Sequence, residues 1–141
     1  MLAGFGLFFT AYEVRQRRKQ DRFGHYVRFL STYAESIKLL VEHRDLHALY
    51  EYSSEDCLKT YPELTPEEKS RAHYCDLLIA LSEMVWLGTE EGLLAKDEWE
   101  YWRDWLIDLH KSRDFRWTLK WTRQDYAEEF ISQLNPGSVK S

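Results

Sequence analysis

A chain of 141 residues, 44% hydrophobic and 30% charged, amounts to one domain, long enough to bury a core and too apolar to be disordered. Its net charge of −5 argues against a general nucleic-acid binder, and two cysteines, Cys57 and Cys75, are too few for a disulfide framework; Cys75, on an apolar helix face, reads as a reduced core thiol. Aromatic residues reach 16%, with six Trp and nine Tyr, and so many rings must be buried, at an interface or near a membrane surface.

Six Gly and three Pro leave long uninterrupted stretches, which favours helices over a many-turned β fold. Residues 1–12, MLAGFGLFFTAY, are uncharged and almost all apolar, and EVRQRRKQDR follows at once. As a helix the apolar part reaches about 18 Å, short of the roughly 30 Å of a bilayer core. A signal peptide carries its charge before the apolar run, whereas here the charge follows. Three readings stay open: the C-terminal half of a transmembrane helix that starts upstream, a short helix lying in the membrane interface, or a helix end packed on the domain or on a partner. The basic block favours the first two. Phe5, Leu7, Phe8 and Phe9 then enter the apolar layer while Arg15, Arg17, Arg18 and Lys19 meet headgroups, each cation contributing about 1 kcal/mol at an anionic surface. Basic residues just past an apolar segment also set its orientation. The expected localisation is therefore the cytoplasmic membrane, with a single N-terminal anchor and the domain on the cytoplasmic side. Residues 13–28 hold six cations against Glu13 and Asp21, a local +4 that leaves −9 on the remainder, so the partner of this block should be local too.

Phe23, Tyr26, Leu30, Tyr33, Ile37 and Leu40 are spaced 3, 4, 3, 4, 3, an apolar stripe over almost three heptads. With Val27 and Val41 widening it, the stripe predicts one long helix over 2–42 that packs in a bundle, or pairs with a second copy as a coiled coil. Asp45 caps a short helix over 46–53, and Ser53-Ser54-Glu55-Asp56 starts a further turn that ends before Pro62. Thr65-Pro66-Glu67-Glu68 is the clearest helix start in the chain: Thr65 caps, Pro66 takes the first position and Glu68 completes a capping box. That helix is expected to end at Leu87, stopped by Gly88, with Ala72, Cys75, Leu78, Leu81, Ser82 and Val85 inward. A helix over 96–112 follows, with Trp99, Trp102, Leu106 and Leu109 inward and Tyr101 and Trp105 flanking. Asp114 caps a short helix over 115–121. Thr122 and Asp125 start the last one, over 123–134, which Asn135-Pro136-Gly137 ends. The expected fold is all-α: a long N-terminal helix packed with three to five shorter helices in a small bundle. Its organisation is an anchor and basic segment over 1–22, a helical domain over 23–135 and a disordered tail over 136–141.

No catalytic or cofactor motif outweighs a structural explanation. His43 and His47 have a metal-binding spacing, but a helix start at Asp45 breaks the geometry, and no Glu stands three residues before a His. Glu100, Asp104 and Asp108 recur every four residues away from the Trp stripe, as a solvated face does. An open pocket at the Trp99/Trp102 face with inward carboxylates would instead mark an enzyme. No Gly-rich phosphate loop or GxSxG elbow occurs. The sequence therefore gives no catalytic residue, metal or cofactor. The segment RDFRWTLKWTR is the best candidate surface, interleaving Arg113, Arg116, Lys120 and Arg123 with Trp117 and Trp121. Arg116, Lys120 and Arg123 can share a helical face that meets phosphate or lipid headgroups, and the competing reading has the Trp rings docked on the core with the cations solvated.

The stretches LAGFGLFFTAYEVRQRRKQ, DEWEYWRDWL and WTRQDYAEEFISQL, with GTEEGLLAKDEW leading into the second, follow one another as in a family of uncharacterised small bacterial proteins. This chain resembles that family over nearly its whole length. The resemblance implies one N-terminal membrane helix and a cytoplasmic helical domain, and it carries over no functional residues. Together these readings lead to the expectation of a non-catalytic, membrane-tethered helical module that binds a protein partner or itself. The alternative is a peripheral binder of anionic lipid or nucleic acid through Arg15–Arg22 and 113–123, with nucleic acid disfavoured by the acidic remainder.

Overall fold

The computed structural model describes residues 31–138, together with Arg17, Gln20, Gly24, His25, Val27, Arg28 and Phe29. The described chain is all-helical, with no strand among the described residues. Residues 31–42 form α1, and 24–25 and 27–29 are helical ahead of it. A 3-10 helix, Arg44–Tyr50, turns the chain onto α2, Pro66–Glu90. Then come α3, Lys96–Leu109, α4, Arg113–Thr122, and a 3-10 turn, Arg123–Asp125, that leads into α5, Glu128–Gln133.

The 25-residue α2 is the central element, and α3, α4 and the Arg44–Tyr50 turn pack on it. Its start follows the sequence: the Glu68 N–H donates to the Thr65 hydroxyl at 3.2 Å, and the Thr65 N–H donates to the Glu68 carboxylate at 2.8 Å. Ala72, Cys75, Leu78, Leu81, Ser82 and Val85 are all buried, with Ile79 and Trp86 extending the face. Trp99, Trp102, Leu106 and Leu109 bring α3 into the same core, and Phe115 and Phe130 enter from α4 and α5. Each such side chain, fully removed from water, contributes roughly 1.5–3 kcal/mol before the entropy of ordering it is set against that. A smaller cluster of Leu64, Ala72 and Trp117 holds the 57–64 segment against α2 and α4.

Several boundaries differ from expectation. The helix at Asp45 is a 3-10 turn with His43 at its N-cap position, and Ser53–Asp56 forms bends without a helix. Pro62 lies inside a short 3-10 turn, Tyr61–Glu63. Gly88 sits within α2, and the glycine that closes it is Gly92, at φ 70°. That left-handed position suits glycine because it has no Cβ to collide with the backbone. The N–H groups of Leu93 and Leu94 then fold back onto the Gly88 carbonyl at 2.7 and 3.0 Å. The expected last helix, 123–134, is divided at Tyr126-Ala127. Pro136–Ser138 forms a 3-10 turn where a disordered tail was expected, and 139–141 lie outside the described residues.

The expected membrane placement is corrected. Among the described residues no helix is long and apolar enough to cross a membrane. The physical reason is plain in α2, which among the described elements has the length to span but carries Glu67, Glu68, Lys69, Arg71, Asp76, Glu83 and Glu90 along it. A single N-terminal transmembrane anchor, and the cytoplasmic-membrane localisation built on it, is therefore not supported. Phe5, Leu7, Phe8, Phe9, Arg15, Arg18 and Lys19 lie outside the described residues, and Arg17 is helical and exposed.

Candidate functional site

An aromatic crevice forms where four elements meet. α1 supplies Tyr33, Ser36 and Ile37, the 3-10 turn supplies Tyr50, α2 supplies Tyr74 and Leu78, and α3 supplies Tyr101, Trp102 and Trp105. It is half open and holds about 190 Å³. The Tyr33 and Trp102 rings lie 5.8 Å apart at 80°, and those of Trp102 and Trp105 lie 5.4 Å apart at 89°. Phe29 backs Trp102 edge-on at 5.5 Å. Such edge-to-face pairs are the favoured arrangement of ring quadrupoles and fix the walls in place. Tyr74 is nearly closed off from solvent while Tyr101 stands 74% exposed, so the first belongs to the floor and the second to the rim. Burial, with Tyr50, Cys75 and Tyr33 adding to it, pushes the Tyr74 hydroxyl up to about 12, and burial raises Tyr50 as well. Both hydroxyls therefore stay protonated at neutral pH. Ser36 is buried and returns its hydroxyl to the Tyr33 carbonyl at 2.7 Å.

No carboxylate lines this crevice at Trp102, whereas Trp99 lines a separate open groove together with Glu90 and Glu100. The acidic face of α3 is paired elsewhere: Asp104 with Arg103 at 3.0 Å, Glu100 with Lys96 at 4.0 Å, and Asp108 with Lys111 and the Tyr52 hydroxyl. His47 bonds the Leu40 carbonyl at 2.9 Å, and His43 is exposed at the turn. His73 pairs with the Tyr61 hydroxyl at 2.8 Å and not with Cys75, whose thiol is pushed up by burial and is unreactive in the fold.

The expected surface over 113–123 is split by the structure. Arg116 turns inward and clamps the loop before it: its guanidinium donates to Asp56 at 2.8 Å and to the carbonyls of His110, Ser53 and Glu55 at 2.6, 2.8 and 2.9 Å. Trp117 is buried and donates its indole N–H to the Lys59 carbonyl at 2.8 Å. Arg113 reaches Glu68 at 3.7 Å and Asp114 at 3.9 Å. Lys120, Trp121 and Arg123 remain exposed, and Trp121 tilts against Trp117 at 5.9 Å. The shared cationic face of Arg116, Lys120 and Arg123 is thus corrected, because Arg116 has its donors consumed by backbone carbonyls. Sequence spacing placed Trp102, Trp105 and Tyr33 on two separate helix faces and did not bring them together. The available signal was the unusual density of rings alone.

No family model matches the chain, and neither a curated protein nor a solved structure does. Nothing in these comparisons bears on the family resemblance drawn from the sequence.

Proposed function

We propose that the protein is a non-catalytic helical module for protein–protein interaction, with the apolar stripe of its N-terminal helix as the contact surface and a second copy of the chain as the simplest partner. The observation behind this is that the domain covers the stripe only in part, through Leu40 and one edge contact of Tyr33 with Trp102. The face it buries runs through Phe29, Ser36 and Leu40, with His25 half-buried on the same side. Tyr33 and Ile37, central in the heptad pattern, are each 41% exposed, and Val27 and Val41 on the neighbouring positions are 47% and 72% exposed. At 100° per residue the heptad stripe is turned about a quarter of a circle away from the docked face. Large apolar groups left together on one helix side are the mark of a surface that another helix covers. In this reading α1 is the end of a longer N-terminal helix, and Phe23, Tyr26 and Leu30 continue the stripe.

The anionic-lipid reading has less support, since Arg116 and Arg113 are engaged within the fold. Sedimentation equilibrium across a range of concentrations tests the proposal. A concentration-dependent dimer is expected, and Val27→Glu combined with Val41→Glu should convert it to monomer with its helical circular dichroism intact. A monomer at all concentrations, or a dimer indifferent to both substitutions, removes the self-association reading.

A further inference from the structure

We propose that the aromatic crevice between α1 and α3 is a receptor for a trimethylammonium group, with the rings of Tyr33, Trp102 and Trp105 as its walls. The shape comes first. Tyr33 and Trp105 stand at 80° and 89° to Trp102, so the ring planes meet close to right angles. A flat aromatic ligand needs parallel faces to stack between, whereas perpendicular walls close around a compact, ball-shaped group. The half-open space of about 190 Å³ suits a head of that kind, with the exposed Tyr101 at the mouth where a tail leaves.

Chemistry narrows the class further. Ring faces carry the negative end of the aromatic quadrupole, and Trp and Tyr are the most electron-rich of the aromatic side chains. The lining offers no cationic group to pair an anion and no carboxylate to hold a metal ion. A primary ammonium would bring three N–H donors, which a carboxylate meets best, and no carboxylate lines the crevice. A quaternary ammonium has no N–H to satisfy, so ring faces and the oxygens of Tyr50 and Tyr74 suffice. A purely apolar ligand would be served as well by Leu and Phe, and does not account for four Tyr and two Trp around one small space.

The test is titration of the whole chain with choline chloride, following the indole N–H resonances by NMR, against two controls: potassium chloride at equal ionic strength, and 3,3-dimethylbutan-1-ol, the uncharged isostere of choline. Saturable shifts of the Trp102 and Trp105 signals are expected with choline, with the isostere binding roughly tenfold more weakly. Trp105→Leu should abolish the choline response, and Trp105→Phe, which keeps a ring, should retain it within roughly threefold. Tyr33→Leu serves as a second variant from the other wall should Trp105→Leu fail to fold. Competition by phosphatidylcholine vesicles assigns the head to a lipid, and indifference to them assigns it to a free small molecule. Equal binding of choline and its isostere, no saturable response to choline, or an unchanged response in a folded Trp105→Leu or Tyr33→Leu variant overturns the proposal.

Discussion

His25 lies directly on Gly88: a Cβ built on Gly88 would stand 2.4 Å from His25 Nε2 and 3.0 Å from its Cδ2. The glycine that reads as a helix stop is thus a contact surface inside α2, bare so that the chain ahead of α1 can approach. The fit has a cost, because His25 Nε2 is buried there without a hydrogen-bond partner.

Two effects of opposite sign meet in Gly88→Ala. A helix-interior Gly→Ala change adds up to about 1 kcal/mol through backbone entropy. Overpacking against a fixed ring costs about 1–3 kcal/mol. At 2.4 Å from Nε2 an added Cβ forces the ring or the helix to shift, so the single substitution is expected to destabilise by about 1 kcal/mol net in urea denaturation. With His25→Ala in the background, the same Gly88→Ala change should stabilise. Additive effects of the two changes would show that the contact does not govern this position.

Arg116 supports a prediction about shape rather than charge. Its planar fork reaches three backbone carbonyls and Asp56 at once, tying the 53–56 bend to the start of α4. Lysine retains the charge but cannot donate in that fan. Arg116→Lys should therefore cost about 2 kcal/mol, nearly as much as Arg116→Ala. The check is the midpoint of chemical unfolding for both variants. A lysine variant as stable as the parent would mean that only the Asp56 ion pair matters, and an exposed pair of that kind contributes little.

What the sequence made legible follows from how local each signal is. The core faces of α2 and α3 were readable because burial recurs at helical period over long stretches, and the Thr65–Glu68 box is written in four consecutive residues. The docked face of α1 was not. A pattern search weighs large apolar residues, whereas close approach was set by the small Ser36, 1% exposed, beside Phe29. Gly88 and Gly92 are alike in composition, and only φ tells them apart. Arg116 appeared to be a surface cation because its acceptors are carbonyls up to 63 residues away. The crevice was hidden for the same reason, being made of four elements whose juxtaposition no local spacing encodes.

Acid should weaken the fold through the start of α2. The Thr65 N–H and then Lys59 hold the Glu68 carboxyl below its ordinary range, with Arg113 adding to the effect. A carboxylate whose folded-state pKa lies below its unfolded one gives stability that is complete above the unfolded value, near 4.3, and is lost as pH falls through the folded one. Glu63, held down by Thr60, and Asp108, held down by Lys111 and Tyr52, act with the same sign. The melting temperature is therefore expected to fall as the pH drops below about 4.3. Glu68→Gln should lower it at pH 7 while flattening this acid limb, and thermal melts at neutral and at acid pH compare them. A variant whose melting temperature drops as steeply in acid as the parent's would remove Glu68 from this role.

α5 has only six residues, too few to hold a helix on their own, so its stability must come from what it touches. Its entry is fixed by α2, where Asp76 accepts the Tyr126 hydroxyl at 2.6 Å and Glu83 accepts the Ala127 N–H at 2.9 Å. Its far end is fixed by the Trp99 indole N–H, which donates to Gln133 at 2.6 Å. Between these ties Phe130 is fully buried against the rings of Trp86, Trp99 and Tyr126. Truncation there removes the ring and leaves a cavity that flanking indoles cannot collapse to fill. Phe130→Ala is thus expected to cost about 3–5 kcal/mol, and Phe130→Leu, which refills most of the volume, about 1–1.5 kcal/mol. Hydrogen exchange separates local from global loss. If α5 is held as described, amides of 128–134 in Phe130→Leu should exchange faster while those of α2 stay protected. Uniform acceleration across both would show instead that α5 and the α2 core unfold as one unit.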